Sequence, residues 1–274
     1  MLRSMYSGVS GMRGFQTKLD VIGNNIANVN TIGFKAGRVM FKDILSQTVA
    51  GVTPPEEGVT GGVNPKQVGL GVSIAAIDTI HTPGSAMTTN VATDLRIDGD
   101  GFFAIMASED QEVPYLTRAG NFTLDAAGQL VTSDGYFVLG LDGGPIVLDP
   151  AEITAFTIGQ DGSIISIAAD GTMEDTGIQI AVVRVANPAG LEKIGGNLYR
   201  VTPNANPDGE IELSAPGDPE AGTGVIIAGQ LEMSNVDLTT EFTEMIVAQR
   251  GFQANSRIIT TSDEVLQEVV NLKR

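Results

Sequence analysis

The sequence predicts an α+β protein in which long N- and C-terminal helices pair into a coiled-coil-like domain and the centre is a mainly β domain. Three observations carry that expectation. Apolar residues recur at steps of three and four from Leu2 through Met5, Val9, Met12, Phe15, Leu19, Ile22 and Ile26 to Val29. Near the other end, Leu238, Met245, Phe252, Ile259 and Leu266 repeat every seven residues. Between the two, short apolar runs alternate with Asp-Gly pairs, and 34 Gly and 12 Pro supply turns without a helical period.

Residues 1–32 form the first element, the N-terminal helix. Gly8, Gly11 and Gly14 recur along it at intervals of three. Each glycine costs a helix about 1 kcal/mol relative to alanine, so this helix is expected to gain order against neighbours that its missing side chains allow close. Asn28 and Asn30 then offer side-chain bonds to free backbone groups, and Gly33 suits a positive φ. A short amphipathic continuation through Phe41, Ile44 and Leu45 is expected inside an extended linker region, 33–71, whose Pro54-Pro55, Gly58, Gly61-Gly62 and Pro65 exclude a helix further on. The outer β domain spans 72–230. Asp98-Gly99-Asp100-Gly101, Asp125 to Gly128, Asp134-Gly135 and Asp161-Gly162 each separate apolar runs as hairpin turns do. The C-terminal helix occupies 231–274, with Ser234, Asn235 and Asp237 as capping candidates and Glu241 and Glu244 near the favourable end of its dipole.

Composition narrows the function. Formal charge is −17, with 33 acids against 16 bases. Residues 1–49 carry a net +4, residues 50–230 a net −18 and residues 231–274 a net −3. Long-range repulsion therefore argues against a nucleic-acid partner, and the weakly charged ends are the parts best able to approach other copies. The chain has no Cys, which excludes disulfides and thiolate metal sites. No stretch reaches the roughly 18 apolar residues of a spanning helix, and serine and glycine break the N-terminal apolar run, so neither transmembrane insertion nor a cleaved signal peptide is expected.

No catalytic, cofactor or metal site is expected. His81 is the single histidine, and it sits in a loop before Pro83-Gly84 with no Cys to pair with. Asp94, Asp98 and Asp100 resemble a calcium loop in type but lack its distal Glu, so turn formation is the better account. Glycine-rich runs lack the Gly-Lys-Ser/Thr of a phosphate cradle, and no serine lies in a Gly-x-Ser-x-Gly elbow.

Two amphipathic helices at opposite ends of a chain can cover each other as an antiparallel pair. Two helices enclose little interior, however, so part of each stripe is left for other copies to cover, and an open head-to-tail contact gives a filament. The residues expected to carry assembly are Leu19, Ile22, Ile26, Leu238, Met245, Phe252, Ile259 and Leu266 on the stripes. Asn24, Asn25, Asn28 and Asn235 are expected to fix helix ends or lateral polar contacts.

Three ordered blocks also carry a resemblance. They are Leu19 to Thr31 with Gly33-Phe34-Lys35; Leu95-Arg96-Ile97-Asp98-Gly99-Asp100-Gly101-Phe102-Phe103 with Tyr115 to Phe122; and Gly229 to Leu238 continuing through Met245-Ile246-Val247-Ala248-Gln249-Arg250-Gly251-Phe252 to Ser256. Together they resemble the flagellar rod and hook family of axial proteins. The resemblance implies a subunit exported unfolded by the flagellar type III apparatus and added to a hollow helical tube, its terminal helices lining the inside and its β domain facing out. It implies self-association and, as partners, neighbouring rod, hook, cap and hook-filament junction proteins. The segments Gly61 to Gly71 and Ile77 to Thr82 look like short hook proteins of Gram-positive bacteria, which makes a hook subunit outside the cell envelope the first expectation. A distal rod subunit of the basal body, which the chain length also suits, is the alternative. A secreted binding module using the acidic β domain is a third reading.

Overall fold

A computed structural model describes residues 2–55, 61–108, 111, 113–148, 153–168, 172–209 and 211–272. Gly58 of the expected linker thus lies outside the described residues. The chain folds as two compact units: Met1–Ala27, Gly37–Thr79 and Asp237–Arg274 form the first, and Asn28–Ala36 with Ile80–Val236 form the second.

The first unit holds both long helices, α1 (Leu2–Ala27) and α2 (Leu238–Asn271). Asp237 caps α2, its side chain accepting from the Thr239 backbone N–H at 2.9 Å. Four strands complete the unit: β1 (Gly37–Asp43), β2 (Ser46–Ala50), β3 (Lys66–Gly69) and β4 (Val72–Thr79). β1 pairs antiparallel with β4, and β2 with β3. Phe41, expected on a helical continuation, therefore lies on a strand, and its ring meets Phe15 of α1 at 5.9 Å between centroids. The pairing of β1 with a distant strand, from Asp43 with Val72 to Gly37 with Thr79, is a nonlocal contact that overrides the weak local helical period.

The helices run antiparallel, but they do not make the coiled-coil-like domain expected from the heptad. A coiled coil needs a second apolar position to supply knobs for the facing holes. Here the contacts of α2 with α1 pass through Glu241, Gly251, Asn255 and Ser262, with the small Ala248 fully buried among them. The helices approach by leaving side chains out. A Cβ on Gly251 would sit 2.6 Å from Phe15 Cζ, and one on Gly11 would sit 2.9 Å from Asn255 Nδ2. The heptad residues are correspondingly incompletely covered: Met245, Ile259 and Leu266 are half-buried, and Leu238 and Phe252 are exposed. Another side of α1 carries the β1–β4 ribbon, where Phe41 closes on Gly14.

The second unit is β-rich. Its strands are β5 (Ala86–Thr88), β6 (Leu95–Asp98), β7 (Phe102–Met106), β8 (Tyr115–Thr117), β9 (Phe122–Leu124), β10 (Leu130–Thr132), β11 (Phe137–Val138), β12 (Ile153–Ile158), β13 (Ser163–Ala168), β14 (Met173–Gln179), β15 (Val182–Val183), β16 (Glu192–Gly195), β17 (Leu198–Arg200), β18 (Val225–Ala228) and β19 (Gln230–Glu232). The main sheet runs β16-β17-β8-β7-β11-β10-β9, with β15 also on β7. β7 is buried on both faces: Phe103 and Ile105 join a core with Phe122, Leu130 and Ile164, while Phe102, Ala104 and Met106 join another with Leu116, Val183 and Tyr199. A strand covered on both sides reads as a continuous apolar run, as Phe102 to Met106 does.

Asp125 to Gly128, Asp134-Gly135 and Asp161-Gly162 sit between paired neighbours, β9–β10, β10–β11 and β12–β13. Asp98-Gly99-Asp100-Gly101 does not make a hairpin, because β6 pairs with β18 and β7 with β8, β11 and β15. Gly33 does take a positive φ, +68°, where a Cβ would lie 2.6 Å from the Ala119 nitrogen.

Candidate assembly surface

The predicted residues fall into three groups. Ile22 is buried at 4% exposure, and Leu19 and Ile26 are half-buried on α1. Asn25 is buried and acts inside the protomer. It exchanges two bonds with Gly37, accepting from its N–H at 2.9 Å and donating to its carbonyl at 2.8 Å, and it donates to Glu241 Oε1 at 3.0 Å. It thereby ties the start of β1 and the first turn of α2 to the end of α1. Asn24 is exposed on α1, and Asn28 accepts from the Thr31 hydroxyl at 3.1 Å in the turn that follows.

Asn235 also works within one chain, in the second unit. Its Oδ1 accepts from the Ala36 N–H at 2.8 Å, and its Nδ2 donates to the Ile80 carbonyl at 2.8 Å and the Thr82 hydroxyl at 3.0 Å. One amide therefore holds three chain segments together. The arrangement is that of a local clasp.

Beside it lies a buried charge network that the sequence reading missed. Lys35 and Glu232 are 0% and 1% exposed and pair at 2.6 Å. Lys35 Nζ also donates to the Thr82 carbonyl at 2.7 Å, and Glu232 Oε1 accepts from the Gly84 N–H at 2.9 Å. Arg118 Nη1 reaches Glu232 Oε2 at 3.4 Å, and its Nη2 donates to the Gly99 carbonyl at 2.8 Å. Burial lowers the pKa of Lys35 and of Arg118, and the Glu232 carboxylate opposes that shift in each. His81 stacks edge-on against Phe102 and Tyr199, with centroids 5.7 and 5.5 Å away. Burial, then the nearby cations Lys35, Lys193 and Arg118, hold its pKa down at about 4. Nothing in the local pattern around Lys35 announces its burial, because its partner carboxylate is almost two hundred residues away.

Several side chains remain uncovered on α2. Val247, Ile258, Val265 and Val269 are 55%, 42%, 45% and 49% exposed, and with Ala254 they step along the helix by seven and four. That spacing places them on one stripe. The stripe lies between the α1 contact through Gly251, Asn255 and Ser262, where Ile258 also comes close to Gly8, and the charged residues Arg250, Arg257, Glu264 and Glu268. The sequence carried its signal as this second series of apolar positions, hidden behind the steadier heptad. The β2–β3 hairpin is similarly bare, with Val49, Val52, Val63 and Val68 exposed on and beside it. An apolar surface of this extent on a helix pair is what a contact between copies would cover. Among the described residues no group of side chains could hold a metal ion, and no helix is long and apolar enough to cross a membrane.

Comparison with known proteins bears on what such a surface serves. Residues 5–35 match the family described as flagella basal body rod protein, residues 96–173 the flagellar hook protein FlgE/F/G D1 domain, and residues 227–272 the flagellar basal body rod FlgEFG protein C-terminal region. The chain is 57% identical to the flagellar basal-body rod protein FlgG of Bacillus subtilis over 274 residues, covering all of both chains. It is 41% identical to the protein of that name in Borreliella burgdorferi over 279 residues, again covering both completely. The flagellar hook protein FlgE of Borreliella burgdorferi is 29% identical over 451 residues, with both chains covered in full.

Proposed function

Since the chain belongs to the flagellar rod and hook family of structural proteins, we propose that it is the distal rod subunit of the flagellar basal body, polymerising with its own copies into a hollow helical tube. The family is structural and not enzymatic, and the flagellum is where its members work. The observation that carries the finer reading is length with identity. Rod proteins align end to end at 57% and 41% with almost no added positions, whereas the alignments to hook proteins stretch over 451 and 473 positions at 29% and 30%. The rod assignment replaces the hook assignment drawn from Gly61 to Gly71 and Ile77 to Thr82. The exposed stripe of α2 supports polymerisation, since a permanent monomer would leave it in water.

In this reading the neighbouring rod and hook components are its axial partners, and the flagellar export apparatus delivers it. Leu19, Ile26, Leu238, Met245, Phe252, Ile259 and Leu266 contribute the half-covered or exposed apolar surface that neighbouring copies complete. Electron microscopy of native basal bodies carrying a label on this subunit tests the proposal. Label within the envelope-spanning segment supports it; label along the curved external segment returns the hook reading.

A further inference from the structure

The first unit offers a ridge and a groove on different elements. The ridge is the stripe Val247, Ala254, Ile258, Val265 and Val269 of α2. The groove, about 550 Å³, lies between α1 and the strand ribbon; Tyr6, Val9 and Gly14 line one wall, and Ile44, Val72 and Ile74 line the other. No lining residue of the groove belongs to α2, and no ridge residue belongs to the ribbon. Two different surfaces on separate elements of one chain make a head-to-tail contact, which builds an open filament when its rotation does not close a ring.

Charge adds a direction. Residues 2–17 carry Arg3 and Arg13 and no acid, whereas residues 258–268 carry Asp263, Glu264 and Glu268 and no base, with Lys273 and Arg274 following later in the sequence. Ser4 meets Ser262 and Asn25 meets Glu241, so the antiparallel helices place the basic start of α1 and the acidic end of α2 at the same end of the unit. A second copy in the same orientation then sets its acidic α2 end level with the first copy's basic α1 start, while an inverted copy does not. Among the described residues Arg3, Arg13, Glu264 and Glu268 take part in no ion pair within the protomer.

We propose that in the polymer the α2 ridge of one copy seats in the α1–ribbon groove of a second copy of this chain held in the same orientation. This rests on the reading that the chain polymerises, and it specifies which surfaces meet.

The absence of Cys makes the test clean. Full-length single-cysteine variants, Tyr6→Cys in the groove and Val247→Cys, Val265→Cys or Val269→Cys on the ridge, are mixed pairwise, polymerised and oxidised. Because the two cysteines sit on different chains, every disulfide between them joins two copies, and it requires Cα atoms about 4.4–6.8 Å apart. Mass spectrometry of the digested polymer is expected to find a Tyr6-site disulfide to at least one ridge position, and none to Gln253→Cys, which lies among the charged residues Arg250 and Arg257. An independent variant, Val265→Asp, is expected to raise the critical concentration for polymerisation about tenfold or more while its circular dichroism stays native. Polymers that form without any ridge disulfide, or that link Gln253→Cys as well as the ridge, overturn the inference and leave the rod reading standing. Wild-type chain that fails to polymerise at any concentration overturns both.

Discussion

Replacing Glu232 by Gln is expected to destabilise the second unit more than any other single change of its size, because one carboxylate serves two buried cations. Glu232 is 1% exposed and accepts from Lys35 Nζ at 2.6 Å, from the Gly84 N–H at 2.9 Å and from Arg118 Nη1 at 3.4 Å. The amide keeps the shape but removes the charge; its oxygen can still accept on one side, while its NH₂ cannot accept from the donor it faces on the other. Lys35 and Arg118 then lie buried without a counter-ion, and breaking a buried pair from one side costs about 3–5 kcal/mol. Lys35→Met is the informative comparison. It removes one cation and leaves Glu232 with Arg118 and the Gly84 N–H, so a smaller cost of about 1–3 kcal/mol is expected. At about 2–4 °C per kcal/mol for a domain of this size, the Gln variant should melt about 6–20 °C lower. Thermal unfolding followed by circular dichroism, with a denaturant titration to check that the slope is unchanged, measures both variants. A Gln variant within about 1 kcal/mol of wild type, or one more stable than Lys35→Met, would refute the assignment of Glu232 as the shared counter-ion.

Other expectations follow from single contacts. His81 has a folded pKa of about 4 against an ordinary 6.5, so the unfolded chain binds the extra proton. Stability should be complete above about pH 6.5 and fall as pH drops toward 4, by about 2 kcal/mol once partial solvent screening is allowed for; His81→Gln should flatten that part of the unfolding curve. Gly120→Ala places a Cβ 1.8 Å from the Leu95 carbonyl oxygen, where only backbone can move, so a loss of about 3 kcal/mol or failure to fold is expected on the same melt. Asn25→Ala removes both bonds to Gly37 and the bond to Glu241, and should cost the helical unit about 2–3 kcal/mol, read as earlier exchange of the Gly37 amide. Phe252→Asp, at 37% exposure, should lower monomer stability by less than about 1 kcal/mol and yet reduce incorporation into polymer, measured by sedimentation.

Much of this fold is legible because its signals are local. The helical stripes, the Asp237 cap, the hairpin at Asp161-Gly162 and the positive φ of Gly33 each depend on a few neighbouring residues. What escaped depends on distant ones. Phe41 pairs through β1 with β4 and packs on Gly14, so a short amphipathic run became a strand. The heptad of α2 is real as a sequence pattern, but its missing companion position and the glycines of α1 turned a coiled-coil seam into a close small-residue contact. Asn25 and Asn235, expected to fix helix ends or lateral polar contacts, take their partners from distant parts of the same chain.

The division of the chain among its two units has a mechanical consequence. The backbone passes between them at 27/28, 36/37, 79/80 and 236/237, so any load between helices and β domain is shared by four covalent strands. A protease nick at any one of these points leaves three tethers intact. The nicked molecule should run as one species until denaturant separates its fragments.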